Sequence, residues 1–198
     1  LGLLLAVTAE DHPDKAETYA PRIRRMFDAI LKRGTNDDGF MYDRIDQQGR
    51  LSDGWGYNYV GYLCYEMVTG KQPYTPKIER LLQSLREEQY KNYNWEGNID
   101  GFADSIEGAI YLLNRLPVEA GFAWVDREMA DNVVHSDQPL ASAELWSTHK
   151  LNSNAVRTTI MHAMMHTEGT RALPWRSDLK LGTEKTADGL ALILSAEQ

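Results

Sequence analysis

A single cysteine, Cys64, stands in a chain of 198 residues. One thiol excludes an internal disulfide and any cysteine-built zinc cluster. It does not exclude export, because many exported proteins carry no disulfide. Basic residues are also in short supply, with 21 Lys and Arg against 29 Asp and Glu and a formal net charge of −8. That balance argues against a nucleic-acid partner, whose phosphates need a basic face. It leaves sugars open, neutral or acidic, since a local basic pocket can sit within an acidic surface. Long hydrophobic runs are missing too: the apolar stretch from Leu1 to Val7 is far too short to span a bilayer, so no membrane partner is expected. Glycine-rich phosphate loops, a Gly-x-Ser-x-Gly elbow and a Cys–His pairing are likewise missing, and no cofactor is expected.

The composition, 42% hydrophobic and 25% charged, is that of a folded domain with a real core. Leu1 to Val7 reads as the end of a core helix whose beginning lies upstream. Val7-Thr8-Ala9 has the look of a signal-peptidase site, but the basic segment that should precede it is missing.

Six further segments read as helices. Ile23, Met26, Phe27, Ile30 and Leu31 form one apolar stripe, with Pro21 suited to the first turn and Gly34 just past the end. Gly54 to Val68 is apolar and aromatic and stops at Gly70. Ile78, Leu81, Leu82 and Leu85 follow Pro76. Phe102, Ile106, Ala109, Ile110 and Leu113 precede Pro117. Trp124 to Val134 is the fifth, and Val156, Thr159, Ile160, Ala163 and Met164 mark the last. Alternating patterns at Phe40 to Ile45 and Leu190 to Leu194 predict strands.

A repeat runs through this pattern. Asp53-Gly54-Trp55 and Asp100-Gly101-Phe102 each open a helix, 47 residues apart, and Gly61 and Gly108 occupy matching places inside. A mid-helix glycine costs about 1 kcal/mol against alanine, a cost that close approach of a neighbouring helix or a ligand can offset. A third copy near Asn154 keeps the apolar spacing from Arg157 to Met165 without the Asp-Gly signature.

Repeated antiparallel helix pairs with Asp-Gly-aromatic loops resemble the (α/α) toroids of polysaccharide lyases and unsaturated-glycuronyl hydrolases. The residues that carry the resemblance run from Leu51 to Tyr59 and from Gly101 to Gly108. It implies a mainly all-α fold of repeated helical hairpins, a partial (α/α) toroid over residues 1–172, and the start of a β segment or a C-terminal extension over 173–198. A full toroid needs about twice as many helices as this chain provides, so the remainder of a larger chain is a candidate partner. If the carbohydrate reading holds, the protein is secreted or periplasmic.

In such a fold the helix-entry loops converge on a cleft. Trp55, Tyr59 and Trp95 are candidate apolar faces for sugar rings, and Asn58, Asp104 and Glu107 candidate partners for hydroxyls. A glycoside hydrolase needs one protonated and one ionised carboxyl group, for which Asp53 and Asp100 are the candidate pair. Asp100 and Asp104 can also stack one turn apart, and Asp104 and Glu107 share a turn. The competing role for Asp53 and Asp100 is as helix caps. A lyase instead needs a group that neutralises a uronate and a base that removes the adjacent proton. Asn58, Arg44, Tyr57 and Tyr59 are candidates, and tyrosine serves as a base only if a cation such as Arg44 lowers its pKa. His162 and His166 share a helix face at a metal-type spacing, and Glu168 and His149 are possible third ligands, but none is evident, so no metal is expected. Asn154 and Arg157, at the start of that helix, are placed to face the cleft. The second reading is a non-catalytic helical scaffold that binds a saccharide or a protein through the same aromatic residues.

Overall fold

The computed structural model describes residues 1–91, 93–95, 99–134, 145–166, 179–187 and 189–196. The chain is mostly helical and divides into two units, Leu1–Met165 and His166–Gln198. The sequence-derived boundary between 172 and 173 lies outside the described residues.

The first unit contains α1 (Gly2–Asp11), α2 (Pro13–Arg33), α3 (Trp55–Thr69), α4 (Thr75–Ser84), α5 (Ile99–Leu113), α6 (Glu119–Glu128) and α7 (Leu145–Met165). A hairpin of β1 (Tyr42–Arg44) and β2 (Gln47–Leu51) separates α2 from α3, and an isolated bridge pairs Thr35 with Met41. Helices α1, α3, α5 and α7 pack side by side as one row, while α2 lies against α1 and α6 against α4 and α5. The contacts of Asp100 with Asn154 and of Ala103 with Thr158 advance together along the two helices, so α5 and α7 run the same way. An intervening helix in each hairpin requires that polarity.

The row is held at short range by glycine. A Cβ on Gly56 would fall 2.3 Å from the carbonyl carbon of Gly108, and one on Gly2 would fall 1.7 Å from the Gly61 oxygen. In both interfaces a glycine at the start of one helix meets the mid-helix glycine of the next, at backbone contact. At Gly108 this is the close approach that a mid-helix glycine implies, whereas a Cβ on Gly61 would meet only Gly2 N, at 3.9 Å. Between α5 and α7 the matching contact is made by Ala103 and Thr158, both buried, with the Thr158 hydroxyl donating to the Ala103 carbonyl at 3.2 Å.

Local signals set the other boundaries. Gly70 ends α3 in the left-handed conformation, φ 64°. The first turn of α4 is capped from α3, where the buried Glu66 carboxylate accepts from Tyr74 N at 2.5 Å, Thr75 N at 2.9 Å and Thr75 Oγ1 at 2.5 Å. Helix α2 begins at Pro13, eight residues before the expected start at Pro21, which sits inside it. Proline is tolerated there because it lies on an exposed helix face, as does Glu17 one turn earlier. Helix α6 begins ahead of Trp124 and passes into a π-helical turn at Met129–Val134.

Two aromatic groups fill the core. Phe40, Trp55, Tyr90, Trp95 and Trp124 meet edge to face or tilted, and Phe27 stacks on Tyr62 at 3.9 Å, with Tyr65 and Tyr74 against its edge. Among the described residues no helix is long and apolar enough to cross a membrane.

The second unit contains an antiparallel hairpin, β3 (Leu179–Thr186) and β4 (Gly189–Ala196), paired from Leu179↔Ala196 to Thr186↔Gly189. The strand expected at Leu190 to Leu194 lies within β4.

The glycine contact gives a direct expectation. Gly56→Ala improves helix propensity yet forces α3 and α5 apart, and should destabilise the fold by about 1–3 kcal/mol in urea unfolding. Gly49→Ala, where a Cβ meets nothing within 4 Å, should stay within about 0.5 kcal/mol of the parent.

Candidate functional site

The close approach of α3 to α5 brings Tyr57 across onto the acidic face of α5. Its hydroxyl donates to Asp104 Oδ1 at 3.3 Å, and its ring lies 6.0 Å from that of Tyr111, one turn beyond Glu107. Helix α7 closes the other side. Arg157 Nε donates to Glu107 Oε2 at 2.6 Å and its Nη2 lies 2.5 Å from the same oxygen, with Asp104 Oδ1 at 3.8 Å. Asn154 Nδ2 donates to Asp100 Oδ1. The cluster is thus Tyr57 from α3, Asp100, Asp104, Glu107 and Tyr111 from α5, and Asn154 and Arg157 from α7.

Burial grades these groups. Asp100 and Glu107 are buried, Asp104 is partly exposed, and the Arg157 side chain is half exposed. Burial, and next the charge of Asp100, push the Asp104 carboxyl above the ordinary aspartate range, against the smaller opposing pull of the Tyr57 hydroxyl and Arg157. Tyr57 is pushed well above its ordinary value by burial, then by Asp104 and Glu107. Tyr111 moves the same way, by burial first and Glu107 second. The bond to Glu107 raises Arg157 further, so it stays a cation.

Several expected site residues lie elsewhere. Trp55, Tyr59 and Trp95 are fully buried and offer no face to a sugar. Trp55 Nε1 donates to Ser105 Oγ at 2.8 Å, and Tyr59 donates its hydroxyl to the Gly39 carbonyl at 2.5 Å. Large aromatic rings contribute most to stability when removed from water, and here they tie α3 to the core. Arg44 is exposed on β1, opposite Gln47. The cation that acts on Tyr57 is Arg157, and it acts against a stronger upward push. Tyr57 therefore lacks the lowered pKa that a proton-abstracting tyrosine requires.

Asp53 is half-buried in the turn before α3, where the N-cap position falls on Gly54 and Ser52 Oγ accepts from Gly54 N at 3.3 Å. The carboxyl coupled to Asp100 is Asp104, on the same helix. Asn58 is exposed and donates to the Gly54 carbonyl at 3.1 Å. It lines a groove of about 280 Å³ with Tyr42, Asp43 and Ser52. A cleft of about 790 Å³ lies between α1, α2 and α3, lined in part by Glu17, Arg24, Tyr65 and Lys71. It holds none of the expected residues. His162 meets Asp126 of α6, with Nε2 2.7 Å from Oδ1.

Comparison with family models, curated proteins and solved structures finds no match to this chain. The arrangement is read on its own chemistry. It holds three carboxyl groups against one guanidinium, a partly exposed acid whose hold on its proton is raised by burial and by Asp100, and two tyrosines at its edge.

The Glu107–Arg157 pair makes an asymmetric expectation. Arg157→Met strands a buried carboxylate and should cost about 2 kcal/mol at neutral pH, a value discounted because the cation is half exposed. Glu107→Gln leaves a cation that water can solvate and should cost less. Urea unfolding of the two variants at pH 7.5 reads both costs.

Proposed function

We propose that this cluster is a hydrolytic site for a neutral saccharide, with Asp104 as the general acid. The observation that carries the reading is the different treatment of neighbouring carboxyl groups. Burial and the Asp100 charge favour the proton on Asp104, whereas Glu107 is tied to a guanidinium. Environments that push neighbouring acids apart are the usual basis of acid–base assignments at one pH. Asp104 is partly exposed, so a leaving-group oxygen has access to it. Asp100, one turn earlier, supplies the second carboxyl that glycosidic cleavage needs, as base or nucleophile. Tyr57 and Tyr111 flank the acids with ring edges and hydroxyls that suit a polyhydroxylated ligand.

Charge selects the substrate class. Three carboxyl groups face one guanidinium, and that guanidinium is already occupied by Glu107. A uronate would meet net repulsion, so the neutral glycan is favoured over the acidic one. Elimination from a uronic acid has less support, because it would need a tyrosine of lowered pKa. In this proposal the row of alternate helices is an arc of an (α/α) toroid, with the cluster on it.

A second reading rests on one specific observation: Asp100 and Glu107 are already satisfied by Asn154 and Arg157. The cluster then serves as a polar lock between α5 and α7 in a saccharide- or protein-binding scaffold. Asp104→Asn separates the two. As a catalytic acid, Asp104 should be needed for release of reducing ends from neutral oligosaccharides, and the variant should lose about 100-fold or more in kcat. A structural lock would leave any binding intact and show no turnover in the parent chain.

The pH dependence of stability has a definite sign. A carboxyl raised in the folded state favours folding at low pH, and that contribution disappears as pH rises through the raised value. Asp104→Asn should therefore flatten the fall in Tm between pH 4 and 7 and leave the variant at least as stable as the parent at pH 7, as measured by calorimetry.

A further inference from the structure

Phe27 stacks on Tyr62 at 3.9 Å and closes α2 onto α3. Two and three turns nearer the start of α2, at about 100° per residue, the same side of the helix carries Ala20 and Ala16. Side chains this short do not fill the space toward α3, which remains as the cleft of about 790 Å³. Those two alanines and Pro13 face Val68 across it, with Ala9 of α1 at one side. A volume of this order, with mostly apolar walls and a few polar groups, suits a small molecule.

The polar groups in the lining select the kind of molecule. Tyr65 lines the cleft and is only 4% exposed, and among the described residues its hydroxyl has no hydrogen-bond partner. A buried donor without a partner is costly, and a ligand atom that accepts from it removes the cost. Arg24 donates through Nε to Asp28 Oδ2 at 3.3 Å, and among the described residues its two terminal nitrogens have no acceptor. The bond to Asp28 outweighs burial and raises the guanidinium above its ordinary value, with Tyr74 and Tyr65 adding to it, so the cation persists within electrostatic reach of Tyr65. Lys71, in the turn after α3, is exposed and has no partner among the described residues. Glu17, exposed two turns before Arg24 on α2, is the carboxylate of the lining. Two cations thus meet one carboxylate, in a chain of formal net charge −8.

We propose that this cleft binds a small organic carboxylate, its charged end on the Arg24 fork and the Tyr65 hydroxyl and its apolar body against Ala16, Ala20 and Val68. The two terminal nitrogens of a guanidinium match the two oxygens of a carboxylate, which fixes the orientation of the ligand. One guanidinium, one hydroxyl and one ammonium opposed by Glu17 suit a single negative charge better than the double charge of a phosphate. Every group in this contact belongs to α2, to α3 or to the turn after it, all within the first unit. The cleft shares no residue with the cluster around Asp104 and is independent of the proposed hydrolytic site.

The test is a calorimetric titration of the 198-residue chain with benzoate and with benzamide, which has the same shape and no charge. Benzoate should bind at one site per chain and benzamide about tenfold more weakly or worse, the difference that a hydrogen bond to a charged group makes. Arg24→Gln should remove that preference. Tyr65→Phe should weaken benzoate about tenfold and leave Tm unchanged, because the hydroxyl holds no partner in the free protein. Ala20→Leu, which fills the cleft, should abolish binding of both compounds, with far-ultraviolet circular dichroism as the check on its fold; Tyr65→Phe carries the test if that variant does not fold. A parent chain that shows no saturable benzoate binding would overturn the proposal. So would equal binding of benzamide, benzoate binding that Tyr65→Phe leaves unchanged, or binding that survives in a folded Ala20→Leu variant.

Discussion

Gly56 and Gly108 put the backbones of α3 and α5 in contact, and the placement of most other groups in the first unit depends on that contact. With Cβ atoms there the two helices would separate. Trp55 Nε1 would then lose reach to Ser105, and Tyr57 would lose reach to Asp104. One close approach thus fixes a buried hydrogen bond on the core side and a tyrosine over acidic groups on the other. The same device recurs at Gly2 and Gly61, so the sequence repeat has a physical content. It is a repeated helix–helix distance, set by residues without side chains.

The aromatic residues follow from the same geometry. Helices this close leave little room between them, so bulky rings gather above and below the contact, where Trp55, Trp95 and Trp124 meet Phe40 and Tyr90. Trp124 Nε1 finds the Tyr90 carbonyl at 2.8 Å. On the α5 face, Tyr57 and Tyr111 stay near solvent, each beside a carboxylate. The polar chemistry is concentrated where α7 lies over α5. There Asn154, Arg157 and Thr158 meet Asp100, Glu107 and the Ala103 carbonyl in successive turns.

Much of the fold was legible because it is written in local periodicity. The stripes at Ile78 to Leu85 and Phe102 to Leu113 and the stop at Gly70 act over one or two turns, and sequence spacing reports such distances. Pro21 misled because a proline on an exposed helix face costs less than one in the interior. The site was legible only in part. Asp100, Asp104 and Glu107 share a helix face, so their spacing reveals them, and Tyr111 lies one further turn along. Their cation is Arg157, 50 residues from Glu107, and no local pattern links the two. Arg44 was drawn in by its nearness in sequence to Tyr57, which has no bearing on α5. Trp55 and Trp95 carried no sign of burial, since an aromatic residue beside a turn suits a cleft and a core equally well.

Burial and the neighbouring Asp100 carboxyl raise the hold of Asp104 on its proton, and the proposed acid role depends on that shift. Carbon-detected NMR titration of the side-chain carboxyl groups reads that proton directly. The account predicts an Asp104 midpoint above the ordinary aspartate value of about 3.9, falling back toward it in Asp100→Asn. A midpoint at or below the ordinary value would contradict it, leaving Asp104 an ionised partner of Arg157 and no acid at the site.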